Sequence, residues 1–137
     1  VRWIEKALKE GKYNKKGKKK LEESQCRNVL RVAETTESTE VIKNFLRYQV
    51  GRPEKKWGSG NDSLAEKIIN DIDNSIKEKA QAIQENTGHK NLNEIWIQLI
   101  RLYLGYGSRC LRYRNFLEDE EAKKQKQKSN NKRQKVN

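Results

Sequence analysis

DSLAEKIINDIDNSIKEKAQAI, residues 62–83, decides the fold class. Leu64, Ile68, Ile69, Ile72, Ile76, Ala80 and Ile83 fall on one stripe when successive residues are set about 100° apart, the signature of an amphipathic helix. Asp62 or Ser63 stands where a helix cap belongs. Asn86, Thr87, Gly88 and His89 make the next turn. A fifth helix then runs from Leu92 to Leu117, the most apolar part of the chain and so its central element. Upstream, Trp3, Ile4, Ala7 and Leu8 share a face of a first helix that stops near Gly11. Cys26, Val29, Leu30 and Ala33 mark a second, from about Ser24 to Glu34. Val41, Ile42, Phe45 and Leu46 mark a third, capped by Ser38 or Thr39 and stopped by Gly51 with Pro53 just beyond. No period-2 run appears, so the expectation is an all-α bundle of about five helices and no sheet.

Composition sets the limits of that bundle. Of 137 residues, 31 are Lys or Arg and 19 Asp or Glu, for a net charge of +12. Residues 1–20 carry nine basic and two acidic side chains, six of the lysines between Lys12 and Lys20. Residues 118–137 carry seven and four, with only Ala122 and Val136 apolar. The last stretch buries too little to offset its ordering entropy, so a helical domain over 1–117 and a disordered charged tail over 118–137 are expected. Apolar runs are too short to span a bilayer, and no secretory core is read near the start. Val1 in place of Met reads as a trimmed chain or a piece of a longer one. Cys26 and Cys110, far apart and without metal-ligand spacing, read as buried inert thiols in a reducing cytoplasm.

Catalytic chemistry has no visible constellation. His89 is the only histidine and sits alone in a turn. Phosphate-binding loops, nucleophile elbows and paired-histidine motifs are absent from the sequence. The acidic run Glu118–Glu121 reads as a solvated charge run. No catalytic residue, metal or cofactor is therefore expected.

The basic residues carry the functional signal. On the fifth helix the apolar face is read as Leu92, Ile95, Leu99, Tyr103, Tyr106, Cys110 and Leu117. Arg101, Gly105, Ser108, Arg109 and Arg112 lie opposite, a basic stripe with small residues between the arginines that a phosphate backbone could approach. Arg27 and Arg31 repeat the pattern at i and i+4 on the second helix, and Lys43 and Arg47 on the third. Trp57 sits in a glycine-bearing loop, where it either stacks a base or folds back on the bundle; the second is the reading adopted. Glu23, Glu34 and Glu40 stand close enough to neutralise some of these charges. The long-range field of +12 still draws a polyanion.

Three segments resemble a known family. LEESQCRNVLRV (Leu21–Val32) is similar to the first signature of the small subunit of type III CRISPR effector complexes, the Csm branch: Ser24, Arg27 and Asn28 match, and Glu22 and Glu23 replace the usual threonines. IKNFLRYQVGRPE resembles the second signature, with Gly51 and Arg52 matching. Two long helices ending in an aromatic-rich stretch (Tyr103, Tyr106, Tyr113, Phe116) follow the family's order. The resemblance implies a non-catalytic scaffold that stacks with neighbouring copies of itself inside an RNA-guided complex, beside the backbone and large subunits. It also implies that Arg27, Arg52 and the Arg101–Arg112 stripe grip phosphates of guide RNA paired with target RNA. A free-standing RNA- or DNA-binding helical protein stays open as a second reading. A third is an enzyme subunit or interaction module whose basic ends only confer solubility.

Overall fold

The computed structural model describes residues 2–136. Its helices are α1 (Arg2–Glu10), α2 (Glu23–Thr35), α3 (Thr39–Gly51), α4 (Leu64–Asp71), α5 (Lys77–Thr87) and α6 (Leu92–Val136), with α4 joined to α5 through a π-helical turn over Ile72–Ile76. Counting α4–α5 as one rod gives the five-helix all-α bundle, with no strand among the described residues. Ser38 caps α3 by accepting from the Val41 N–H at 3.4 Å, and Ser63 caps α4 by accepting from the Glu66 N–H at 3.2 Å.

The π turn answers a feature of the sequence. Leu64, Ile68, Ile72, Ile76 and Ala80 recur every four residues, and all five are fully buried. In a straight α-helix each such step drifts about 40° off the face. One wider turn takes up the drift and keeps all five against the core. The Asn74 side chain assists by donating to the Asn70 carbonyl at 2.9 Å, a contact that competes with the helical ladder. The turn also anchors the rest of the bundle. The Trp96 indole N–H donates to the Ile72 carbonyl at 2.9 Å, and the Tyr103 hydroxyl donates to Asp71 Oδ2 at 2.7 Å. Burial raises the pKa of both Asp71 and Tyr103; their hydrogen bond pulls Asp71 back down and pushes Tyr103 further up.

α6 lies against α1, α2 and α5, with Ile97, Ile100, Leu104 and Leu111 buried on its inner face. This corrects the face read from the sequence. Of the seven residues expected inside, only Tyr103 is buried; Leu92, Ile95, Leu99 and Cys110 are half-buried, and Tyr106 and Leu117 are exposed. Ser108, expected outside, is buried and donates to the Leu104 carbonyl at 3.0 Å. The inward side holds the small residues because α1 comes close there. A Cβ on Gly107 would fall 2.9 Å from Ile4 Cγ1.

α6 runs past Leu117 to Val136, the last described residue, without a break. No Gly or Pro follows Leu117 to stop the helix, and Glu, Lys, Gln, Ala and Arg all favour it. The tail's contact with the body ends at Asp119, which meets Lys20 Nζ at 3.3 Å. From Glu121 to Gln134 every side chain is exposed.

The lysine-rich segment after α1 is pinned by backbone hydrogen bonds to the loop before α4: the Lys12 N–H to the Asp62 carbonyl at 2.8 Å, the Leu64 N–H to the Lys12 carbonyl at 2.9 Å. Gly58 permits this, since a Cβ there would sit 1.9 Å from the Lys12 carbonyl oxygen. Trp57 folds back into the core, 2% exposed.

The two α6 glycines should respond in opposite ways to alanine. Nothing lies within 4 Å of a Cβ at Gly105, so Gly105→Ala should stabilise the fold by about 0.5–1 kcal/mol through helix propensity. Gly107→Ala gains the same propensity but pushes on buried Ile4, for a net loss of about 1 kcal/mol. Urea denaturation of both variants checks this. Equal shifts would mean that α1 does not pack on α6 at Gly107.

Candidate nucleic-acid interface

The two signature segments meet in space. The first turns of α2, the end of α3 and the loop after it enclose an open groove of about 490 Å³. Gln25 and Asn28 line it from α2; Phe45, Tyr48, Gln49 and Arg52 from α3 and its cap; Lys56, Trp57 and one carboxylate, Glu54, from the loop. Each element has a local reason for its place. The Gln25 side chain accepts from the Glu22 N–H at 2.8 Å and so fixes the start of α2. α3 ends where the Arg52 N–H turns back to the Gln49 carbonyl at 3.3 Å, next to Pro53. Trp57, held by the core, forms an apolar wall.

This groove can hold an extended anion with polar or aromatic parts. Arg52 is exposed and makes no ion pair among the described residues. Lys56 has one partner, Glu54 at 3.5 Å. The amides of Gln25, Asn28 and Gln49 offer both donors and acceptors, and Tyr48 is an exposed ring. Beside the groove, the outer face of α2 presents Arg27 and Arg31. Arg31 has no ion pair among the described residues, while Arg27 and Arg112 share one carboxylate, Glu23, at 3.7 and 3.6 Å. One carboxylate between two guanidiniums leaves that edge positive. Arg52 and Lys56 line the groove, and Arg27 and Arg31, exposed on α2 outside its lining, add to a basic band that reaches Arg112 through the shared Glu23.

The other candidates stand elsewhere. Lys43, expected on an outer face, is buried and binds Glu40 at 2.7 Å and Asp73 at 2.8 Å. Burial alone would lower its pKa, but hydrogen bonds and charge from Asp73 and Glu40 outweigh burial and hold it above the ordinary lysine value. Its stabilising effect is therefore present at neutral pH and lost only as pH climbs through that raised value. Lys43 clamps α3 to the π turn. Arg101 is also corrected: half-buried, it donates from Nε to the Ala33 carbonyl at 2.8 Å and from a terminal nitrogen to the Thr36 carbonyl at 3.4 Å. A cation there satisfies free carbonyls at the end of α2 and complements the helix dipole. Arg47 is exposed and bonds Asn44 Oδ1 at 3.2 Å, outside the groove. Arg109 is exposed with its guanidinium 5.1 Å from the centre of the Tyr106 ring. The basic stripe of the fifth helix therefore reduces to Arg109 and Arg112.

Gln25, Gln49, Tyr48 and Lys56 join the site only through folding. No spacing along the chain links α2 to the loop at 54–57. The thiols take no part: burial pushes Cys26 up to about 12, with Glu23 adding to the shift, and Cys110 is half-buried. No helix among the described residues is long and apolar enough to cross a membrane. Comparison of the chain with protein-family models, with curated proteins and with solved structures found no match.

Lys43 and Arg101 separate structure from binding. Lys43→Ala and Arg101→Ala should each lower stability by about 1–3 kcal/mol, Lys43→Ala because a buried stem and its tie to the π turn are lost, Arg101→Ala because carbonyls at the end of α2 lose their donor. Neither should change how RNA affinity depends on salt at a temperature where the variant is folded. Unaltered stability with a flattened salt slope would return these residues to the interface.

Proposed function

We propose that the protein is a non-catalytic small subunit of an RNA-guided type III CRISPR effector complex, in which it lines the channel holding guide RNA paired with target RNA. One observation carries the reading: the two segments that resemble the family's signatures, on the consecutive helices α2 and α3, line a single groove with Arg52 and Lys56 on its rim. The exposed arginines of α2 extend that rim. Their forked donors suit phosphate oxygens, and contacts of this kind position a strand without reading its sequence. That division of labour fits a complex whose guide supplies specificity by base pairing. Guide RNA, target RNA, backbone and large subunits and further copies of this chain are the partners of this reading, and cleavage belongs to neighbouring subunits.

One observation favours a free-standing RNA- or DNA-binding protein instead. The last turns of α6 carry Lys123, Lys124, Lys126, Lys128, Lys132 and Arg133, all exposed, which would hold any polyanion without a complex. Purification from cells that hold the neighbouring genes separates the two. Co-elution of a guide RNA with large partner subunits supports the first reading, and free protein with heterogeneous RNA the second.

The groove has its own test. Replacing Arg27, Arg31 and Arg52 together with Ala should flatten the plot of log affinity against log salt by about 2 units for single-stranded RNA, since each lost phosphate contact removes about 0.7. All three are exposed, so helicity should be unchanged. A triple variant with the parent's slope would remove the basic band, of which Arg52 is the member that lines the groove, from the binding surface.

A further inference from the structure

α6 is apolar on two opposite faces, and only one of them is covered. From Leu92 to Phe116, residues at alternating spacings of three and four share one face, and all except Arg109 are Leu, Ile, Tyr or Phe; Leu92, Ile95 and Leu99 are half-buried, with Leu99 against the core, and the exposed part runs from Leu102 onward. Leu102 is 60% exposed, Tyr113 61%, Phe116 56% and Tyr106 43%. That alternation is the seam pattern by which one helix packs along another. The charges flanking the seam change sign along it. Arg109 and Arg112 precede Tyr113 and Phe116, and Asp119 and Glu120 follow them. The pattern is therefore complementary to its own reverse.

We infer that this face pairs with a second copy of the chain, α6 against α6, antiparallel about a two-fold axis between Arg114 and Asn115. In that register Tyr113 meets Phe116 of the second copy, and Arg109 meets its Glu120. On one flank Arg112 meets Asp119 of the second copy; on the other, Leu117 meets its Cys110. Each contact occurs twice, as a self-complementary interface requires. Most of the bundle lies on the opposite side of α6, and only Lys20 and the start of α2 reach the flank beside Phe116. In the single chain Glu120 holds exposed Lys123 at 3.6 Å, while Arg112 meets half-buried Glu23 at 3.6 Å and Asp119 meets half-buried Lys20 at 3.3 Å, so the second copy competes with two pairs to the bundle for its flank contacts. Four half-exposed apolar side chains from each copy bury on the order of 800 Å² together, the size of a weak interface, so the pair exchanges with monomer. Such a pair closes at two copies, unlike a head-to-tail stack, and does not depend on the groove's ligand.

Sedimentation at low salt over a range of concentrations tests the register with two variants, R109E/R112E and D119K/E120K. Each alone should dimerise at least about tenfold more weakly than the parent, because like charges then face each other. An equimolar mixture should recover the dimer, because every facing pair is again opposite in sign. Tyr113→Lys, an exposed change at the centre of the seam, should be monomeric with unchanged helicity. A parent that stays monomeric at every concentration overturns the inference, as does a mixture no more dimeric than its components. If the parent stays monomeric and the variants weaken RNA binding, the Tyr and Arg residues of this face form a stacking platform for a single strand instead.

Discussion

The face that α6 turns inward is the constraint on which the rest of the bundle depends. Both of its long faces are apolar, so hydrophobicity alone does not choose between them. Three polar contacts do: Arg101 on the last carbonyls of α2, the Trp96 indole on the Ile72 carbonyl, and the Tyr103 hydroxyl on Asp71. Each satisfies a group that would otherwise be stranded when the helices close. Gly107 and Ser108 then lie where α1 needs room. A rotated α6 would leave the end of α2 without its cation, and would shift the helix that supplies Gln25 and Asn28 to the groove.

Much of this was legible in the residues, and the gaps have physical causes. The five helical rods, the serine caps at Ser38 and Ser63, and the burial of Trp57 follow from local patterns. The orientation of α6 does not, because its outer seam has a cleaner period than its inner face, where Gly107 and Ser108 dilute the apolar signal. The π turn was hidden for a related reason. A strict four-residue spacing looks like an ordinary helix until the accumulated drift is followed over several turns. Lys43 and Arg101 look like surface charges in one dimension, since their partners, Asp73 and the carbonyl of Ala33, are 30 and 68 residues away. Helix continuation beyond Leu117 turns on local propensity, which an argument from burial leaves out.

The charge distribution is more informative than its total. Lys43 and Arg101 serve the fold, and Arg27 shares a carboxylate. Arg31, Arg47, Arg52 and Arg109 remain without an ion pair among the described residues, Arg47 standing apart on α3, and Lys56 keeps a single acidic neighbour. These groups separate into two surfaces. Arg31, Arg52 and Lys56 belong to the band that enters the groove between α2 and α3. Arg109 belongs to the aromatic outer face of α6. A nucleic acid held by the band and a second copy held on the seam would therefore occupy different sides of the bundle, with Arg112 near the boundary.

Ultraviolet cross-linking of the protein to bound RNA, followed by mass spectrometry of the linked peptides, tests the central claim most directly. The groove places exposed Tyr48 and half-buried Phe45 beside the cations, so cross-links should concentrate on the α3 peptide that carries them and on the start of α2. Cross-links confined to the end of α6, with none on α2 or α3, would contradict the account and give the binding to the lysine-rich helix end.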